Sequence, residues 1–446
     1  MKKNLLIILL FIASIANSQE KQKNFAYSLE EAINHALTNN YTAINAERDI
    51  AAAKQKKWET TAMGLPQING NLDFQNNIEL QKSLIPAEFF GGNPGEFREV
   101  AFGTKNNMNT RITLSQLLFD GSYIVALQAS KTYLKFYQNA KQKTAVDIRE
   151  MVINAYGNVL LADESISILE KNKAILEKTL FETTEIYKNG LIEEENVEQL
   201  QITLSSVKSN LNNIKRLLDI SSKMLKITLG LDIDDNLILT DKLDKLTLTN
   251  LDTSFSKTDF AIEKNINYQM ALNFQEQRLL EYKLQKSKAL PSLSANANFG
   301  YNAFGNEFQF FTSNQRWLNY SNVGVNLNIP IFSSLARSAK TQQAKIAYEK
   351  AKTDLLETSQ RLKLQYDNAK SQFEFSIEEY ATAKTNLNLA ERIEKKQQIK
   401  FTEGLSSSFD FSEAQRQLYA AQQNYLQSMV NIINKKAALE KIINKK

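Results

Sequence analysis

One phrase of this 446-residue chain is written twice. The stretch GLPQINGNLDF, Gly64 to Phe74, has a near-copy in ALPSLSANANF, Ala289 to Phe299, 225 positions later. The same offset aligns Asn40 with Asn265 and Pro66 with Pro291, so the helical-looking run before the phrase is duplicated with it. A second alternating run follows each copy: NMNTRITLSQLLFDGS carries Phe119 and SNVGVNLNIPIFSS carries Phe332, at an offset of 213. Further on, YKNGLIEEENVEQLQ (Tyr187 to Gln201) pairs with FTEGLSSSFDFSEAQ (Phe401 to Gln415), which sets Gly190 against Gly404. The fold must therefore be built from two copies of one unit, each reading helix, strand, loop, strand, long helix, glycine turn, helix. The first copy holds 12 extra residues between its strands, within SLIPAEFFGGNPGEFREV, whose two prolines and three glycines read as a long exposed loop.

The strands alternate with period two. In the first, Ile68, Leu72 and Phe74 oppose Gln67, Asn69, Asn71, Asp73 and Gln75. After Pro291, Leu293, Ala295, Ala297, Phe299 and Tyr301 oppose Ser292, Ser294, Asn296 and Asn298. In the fourth, Val323, Val325, Leu327 and Ile329 oppose Asn322, Gly324, Asn326 and Asn328. Strands of about ten residues with aromatics near their ends suit a barrel with lipid outside and water inside. A half-buried soluble sheet alternates equally well. Asparagine is a poor strand former, so its repeated use on one face favours a polar lumen over an ordinary solvated surface.

Only 14 Gly and 5 Pro punctuate the chain, which points to long helices elsewhere. From Asp120 to Tyr187 there is no proline, and Gly157 is the one glycine after Gly121; a continuous helix there would be about 100 Å long. Val152, Val159, Ile166, Leu180 and Tyr187 recur every seven residues, interrupted by Lys173, with Ala155, Ala162, Leu169, Leu176 and Thr183 three positions after each. That is the seam of a coiled coil. In the second copy Tyr366, Phe373, Tyr380, Leu387 and Phe401 keep the step, with Glu394 the exception, and Ala369, Ser376, Ala383 and Ala390 face them. Large residues opposite small ones imply close packing, and the turns at Gly190 and Gly404 fold each long helix into a hairpin.

The N-terminus MKKNLLIILLFIASIANSQE has Lys2 and Lys3, an apolar run and small residues before Gln19, which reads as a signal peptide cut near Ser18. An uncleaved anchor is the rival, but its apolar core is too short to span a bilayer. There is no cysteine, which excludes disulfides, thiolate metal sites and a lipid-modified N-terminal cysteine. No later segment offers 18 consecutive apolar residues, so a membrane crossing would be made by strands. Four strands cannot close a barrel, whereas three copies supply 12, an even number within the range of outer-membrane barrels. The net charge of +5 is mild and dispersed among acidic residues, which does not support a nucleic-acid partner.

Taken in order, SLEEAINHALTNNYTAINAERDIAAAKQKKW, GLPQINGNLDF, the junctions LFDGS and IFSSLARSA, and the turns YKNGLIEEENV and FTEGLSSSFDF resemble the TolC family of outer membrane efflux proteins over essentially the whole mature chain. The resemblance implies a mainly α fold with a membrane β-barrel: long coiled-coil hairpins forming a periplasmic tunnel, and four strands per protomer closing a 12-stranded barrel in a homotrimer. It also implies docking to a periplasmic adaptor and an inner-membrane pump. The corresponding organisation is a signal peptide at 1–18, a first repeat at 19–230, a connecting segment at 231–257 and a second repeat at 258–446. The first repeat would hold strands about 66–80 and 106–118 and a turn near 190; the second, strands about 291–304 and 321–332 and a turn near 404.

By the same resemblance Asp410 and Glu413 match acids that ring the periplasmic entrance and select cations, although acids at a helix N-terminus are also favoured by the dipole alone. Glu195 matches an acid of the latch that holds the entrance shut, but Phe401 and Ser406 stand where relatives carry a tyrosine and an arginine. Gly190, Leu191, Gly404 and Leu405 match the adaptor-docking turns; plain helix caps would look the same. His35, the lone histidine, reads as structural, Trp58 and Trp317 as packing anchors, and Ser28 with Glu31 as a capping box. No phosphate loop or nucleophile elbow is present, so no cofactor, metal or enzymatic activity is expected and energy must come from a partner. The reading that follows is an outer-membrane exit duct for small-molecule or metal efflux, with type I protein secretion as the alternative. A trimeric adhesin would place its strands once, at the C-terminus, and an enzyme would need a catalytic constellation.

Overall fold

The computed structural model describes residues 23–252 and 260–444. The signal peptide expected at 1–18 and the end of the expected connecting segment, 253–257, lie outside them. The described residues divide into two units, one comprising 23–50, 137–252, 260–272 and 355–444, the other 51–136 and 273–354. In chain order the elements are β1 (Asn24–Tyr27), α1 (Leu29–Asn39), α2 (Tyr41–Ala62), β2 (Gln67–Asn76), β3 (Lys82–Pro86), β4 (Phe97–Ala101), β5 (Asn106–Asp120) and α3 (Gly121–Lys188). There follow α4 (Glu194–Leu229), β6 (Asn236–Leu239), α5 (Leu243–Asn250), α6 (Ile266–Ser287), β7 (Ser292–Gly305), β8 (Trp317–Asn328), α7 (Ala336–Thr402) and α8 (Ser408–Ile442). Among the described residues no helix is long and apolar enough to cross a membrane.

The strand-bearing unit is organised by one antiparallel sheet in the order β2-β5-β7-β8. The register sets Ile68, Leu114, Ala297 and Val323 in one line across it, and Asn69, Thr113, Asn298 and Asn322 in the next. Period-two alternation is thereby converted into one apolar and one polar face. β8 ends at Asn328, short of the expected 332, because Pro330 has no N–H to give the ladder. The 12-residue insertion is not the loop its breakers suggest. Pro94 and the three glycines lie between its strands and Pro86 ends the first of them, while Lys82–Pro86 and Phe97–Ala101 pair as a hairpin that carries a Lys82–Glu99 ion pair of 2.9 Å.

The two strand-to-helix junctions solve one problem differently. At the first, the Asp120 carboxylate accepts from the backbone N–H of Ser122 (2.7 Å) and Tyr123 (3.2 Å), capping the start of α3. At the second, Ser334 and Leu335 take positive φ (48° and 64°), and the Arg337 guanidinium donates to the carbonyls of Pro330 (2.9 Å) and Ile331 (3.3 Å).

The helical unit has its core around Tyr156, Leu225, Leu229, Phe373, Met429 and Ile432, drawn from α3, α4, α7 and α8. The short parallel pair β1 and β6 borders it, and the buried Tyr156 hydroxyl donates to the Tyr27 carbonyl at 3.0 Å. α1 opens with the Ser28–Glu31 capping box. His35 lies against Tyr27: its Nδ1 is 3.1 Å from the Tyr27 hydroxyl, and its ring is tilted against the Tyr27 ring at 5.1 Å between centroids. Trp317 packs against the buried Phe310, whereas Trp58 is 60 % exposed.

Candidate functional site

Both glycine turns are Schellman caps. At the first, the Leu191 N–H donates to the Ile186 carbonyl (3.3 Å) and that of Gly190 to Tyr187 (2.8 Å); at the second, Leu405 donates to Lys400 (2.7 Å) and Gly404 to Phe401 (3.1 Å). Gly190 and Gly404 lie at φ 73° and 71°, and a Cβ on either would meet nothing within 4 Å. Left-handed backbone, not crowding, therefore demands glycine at both. The following leucines are 74 % and 78 % exposed, although a residue at this position frequently packs back onto its own helix.

Past the turns, the acids meet different fates. Glu194 and Glu195 stand in the first turn of α4, whose N-cap Glu193 makes no side-chain capping bond. Asp410 is held in a capping box: its carboxylate accepts from the Ser407 hydroxyl (2.8 Å) and N–H (3.3 Å), while its own N–H donates to Ser407 Oγ (3.1 Å). Those bonds keep the exposed Asp410 carboxyl below the usual carboxylate range. Glu413, one turn on, pairs with Arg416 and accepts from Gln417 Nε2 at 3.1 Å.

The structure brings the two turns together. The Ser408 N–H donates to Asn196 Oδ1 at 3.3 Å, and Phe411, fully buried, enters the Leu169, Leu176, Leu200 and Leu204 cluster between α3 and α4. Phe401 stacks on Phe411 at 5.4 Å with 7° between planes, and Ser406 donates to Gln397 Oε1 at 3.2 Å. Among the described residues no hydrogen bond or ion pair joins Glu195 to Phe401 or Ser406.

Buried polar groups in this region carry more than the sequence pattern revealed. Glu394, the heptad exception, is 9 % exposed and accepts a hydrogen bond from Gln415 Nε2 on α8. Burial pushes its carboxyl pKa up. The Tyr419 hydroxyl is buried nearby without a hydrogen-bond partner among the described residues, its pKa raised by burial first and by the Glu394 charge second. The other exception, Lys173, is partly exposed, while Ile166 and Leu180, one heptad on either side, pack against the leucine cluster. Ser165, Asn172 and Thr179 are buried one residue ahead of the expected Ile166, Lys173 and Leu180, and Asn172 donates to Gln422 of α8 at 2.9 Å. A lysine that breaks a heptad was the available signal that a polar residue is buried beside it.

On the sheet, Ile68, Leu72, Val323 and Val325 are 62 to 82 % exposed on the apolar face. The opposite face is cross-linked by side chains: Thr113 Oγ1 donates to Asn298 Oδ1 (2.7 Å), Asn298 Nδ2 to Asn322 Oδ1 (2.9 Å), and Asn109 Nδ2 to Asn302 and to the Tyr320 hydroxyl (3.2 Å). Gly300 is required by close approach on both sides, since a Cβ there would collide with the Thr110 carbonyl of β5 and lie 2.8 Å from Tyr320 Cζ.

Residues 261–445 match the family described as outer membrane efflux protein. The chain is 22 % identical to outer membrane protein TolC of Vibrio cholerae over 331 residues, covering 74 % of this chain and 71 % of that relative. Its fold is that of the crystallised CmeC outer membrane channel of Campylobacter jejuni (TM-score 0.71, 18 % identity, 96 % of this chain and 90 % of that one). It is likewise that of VceC of Vibrio cholerae (TM-score 0.70, 15 % identity, 93 % and 96 %). The family match falls in the second repeat, and over the rest of the chain the likeness is one of fold, to crystallised outer membrane channels. The matched family and the TolC relative agree with the TolC-family resemblance of the sequence.

Proposed function

We propose that three copies of this chain close a 12-stranded barrel and form a passive exit duct, carrying solutes delivered by an inner-membrane transporter and a periplasmic adaptor to the exterior. The observation that carries this reading is the four-stranded sheet. Its apolar face is exposed, its polar face is a network of amides, and β2 and β8 leave open edges. Open edges are not tolerated in hydrocarbon, so each β8 must find another copy's β2. On this reading the chain is exported with cleavage near Ser18, and each repeat, 19–230 and 258–446, supplies two barrel strands and one helical hairpin.

The exposed Leu191 and Leu405, displayed on Gly190 and Gly404, are the adaptor-docking tips. Asp410 and Glu413 form the charge ring at the inner mouth, where Asp410 stays ionised because its Ser407 bonds favour the carboxylate. Glu195 acts in closure through the contact its neighbour Asn196 makes with Ser408.

Purified protein should run as a trimer and conduct in planar bilayers; an impermeable or monomeric particle would refute the duct. Asp410→Asn with Glu413→Gln should reduce cation preference, and an unchanged reversal potential would remove the ring. Cross-linked pull-down from the native envelope identifies the partner. An adaptor with a proton-driven pump supports efflux, and an ATP-driven exporter moves the assignment to type I protein secretion.

A further inference from the structure

The polar face of the sheet is nearly devoid of charge. Along the body of the strands, from Gln67 to Gln75 on β2 and the residues in register with them, it carries one acid and one base, Asp73 and Arg111. Asp73 lies opposite Asn109 and Arg111 opposite Asn71, so the two are diagonal neighbours on adjacent strands. Diagonal side chains of that length are within reach of one another. Asp120 lies beyond this stretch, with its carboxylate committed to the cap of α3. The remaining positions are mostly carboxamides and hydroxyls, and several bond across strands, as Asn298 does to both Thr113 and Asn322.

Charges on a water-filled wall set a potential that sorts solutes by sign. Here each protomer sets one charge of each sign on adjacent strands, so the wall carries no net charge, and amides offer donors and acceptors alike. We infer that the barrel of this protein is an electroneutral, carboxamide-lined passage that accepts hydrophilic solutes of either charge. This rests on the proposed trimeric duct, and it confines any selection by charge to parts of the path other than the barrel.

The test uses the full chain in phosphatidylcholine vesicles and exploits its lack of cysteine. Asn298→Cys, and Asn322→Cys as a second reporter, are labelled with membrane-impermeant thiosulfonates bearing either a trimethylammonium or a sulfonate group. The ratio of cationic to anionic labelling rates should match that of free 2-mercaptoethanol within about twofold. Adding Arg111→Gln should raise the ratio several-fold, adding Asp73→Asn should lower it several-fold, and adding both should restore it. A strongly sign-dependent ratio without those changes, or a ratio that neither change moves, would overturn the neutral passage and leave the duct standing. If instead the Asn298→Cys and Asn322→Cys thiols do not react while Val323→Cys on the opposite face does, the water-filled barrel falls, and this inference with it.

Discussion

The two helical hairpins are copies of one unit, yet they bury different chemistry. Between α3 and α4 the core of the contact is apolar: Leu169, Leu176, Leu200, Leu204, Val207 and Leu211 are all nearly or fully buried, while the buried Asn172 of α3 bonds to Gln422 of α8. Between α7 and α8 the buried residues include Ser376, Glu394, Ser408, Ser412 and Gln415, and the apolar ones beside them are largely alanine. An apolar seam is held by packing alone, whereas a seam of small and polar residues depends on each hydrogen bond being made. The second hairpin therefore has the smaller margin against opening, and Phe411 compensates by reaching from α8 into the leucines of the first.

That dependence gives the largest expected effect. Phe411→Ala should cost about 3 to 5 kcal/mol of local stability, the range for emptying a buried aromatic site. Hydrogen exchange should show lost protection at the start of α8 and at Phe401, with the body of the α3/α4 hairpin much less affected. Equal loss in both hairpins would mean that the seams are not separable.

Glu394 sharpens the contrast through pH. Its folded pKa is raised by burial, so the native state holds a proton that the unfolded chain would have released. Stability from this group is fully present below the unfolded carboxyl value and is lost as pH rises from there through the raised folded value. Unfolding of Glu394→Gln should lack that component. Glu394→Leu, which replaces a buried carboxylate having no cationic partner among the described residues, should stabilise the protein at neutral pH by about 1 to 4 kcal/mol. A pH profile unchanged by Glu394→Gln would show that the carboxyl is solvated or paired in the assembly.

Much of this was legible in the sequence, for physical reasons that also mark where legibility stopped. The strand faces follow from alternation, and the turns from glycine at matched positions, because both are local consequences of backbone geometry. The hairpin in the first insertion was hidden, since Pro86, Pro94 and three glycines dominate the composition while the pairing residues around them show no alternation. At the candidate entrance, Asp410 and Glu413 could be placed near the turn, but not their bonds to Ser407 and Arg416, which depend on side-chain direction. Gln415 and Tyr419 were invisible as partners of Glu394 because they lie across a turn on another helix.

The turns provide a matched control of intermediate size. Gly190→Ala and Gly404→Ala each force a side chain into the left-handed region with free space around it, and each should cost about 1 to 2 kcal/mol. The costs should be nearly equal, because the caps are equivalent even though the seams beyond them are not. Hydrogen exchange at Leu191 and Leu405 reads this directly, and a clear inequality would trace the difference between hairpins to their turns instead of their cores.

The smallest expected effect tests the register itself. If Lys173 occupied the seam, Lys173→Leu would remove a buried charge and stabilise the coiled coil substantially. The structure instead puts Asn172 there and leaves Lys173 partly exposed, 3.8 Å from Glu177. Surface pairs of that kind contribute little, so Lys173→Leu should shift stability by no more than about 0.5 kcal/mol. Asn172→Ala should cost about 1 kcal/mol through the lost bond to Gln422. Thermal unfolding of the two variants side by side decides between the two neighbouring positions, because only one of them can face α8.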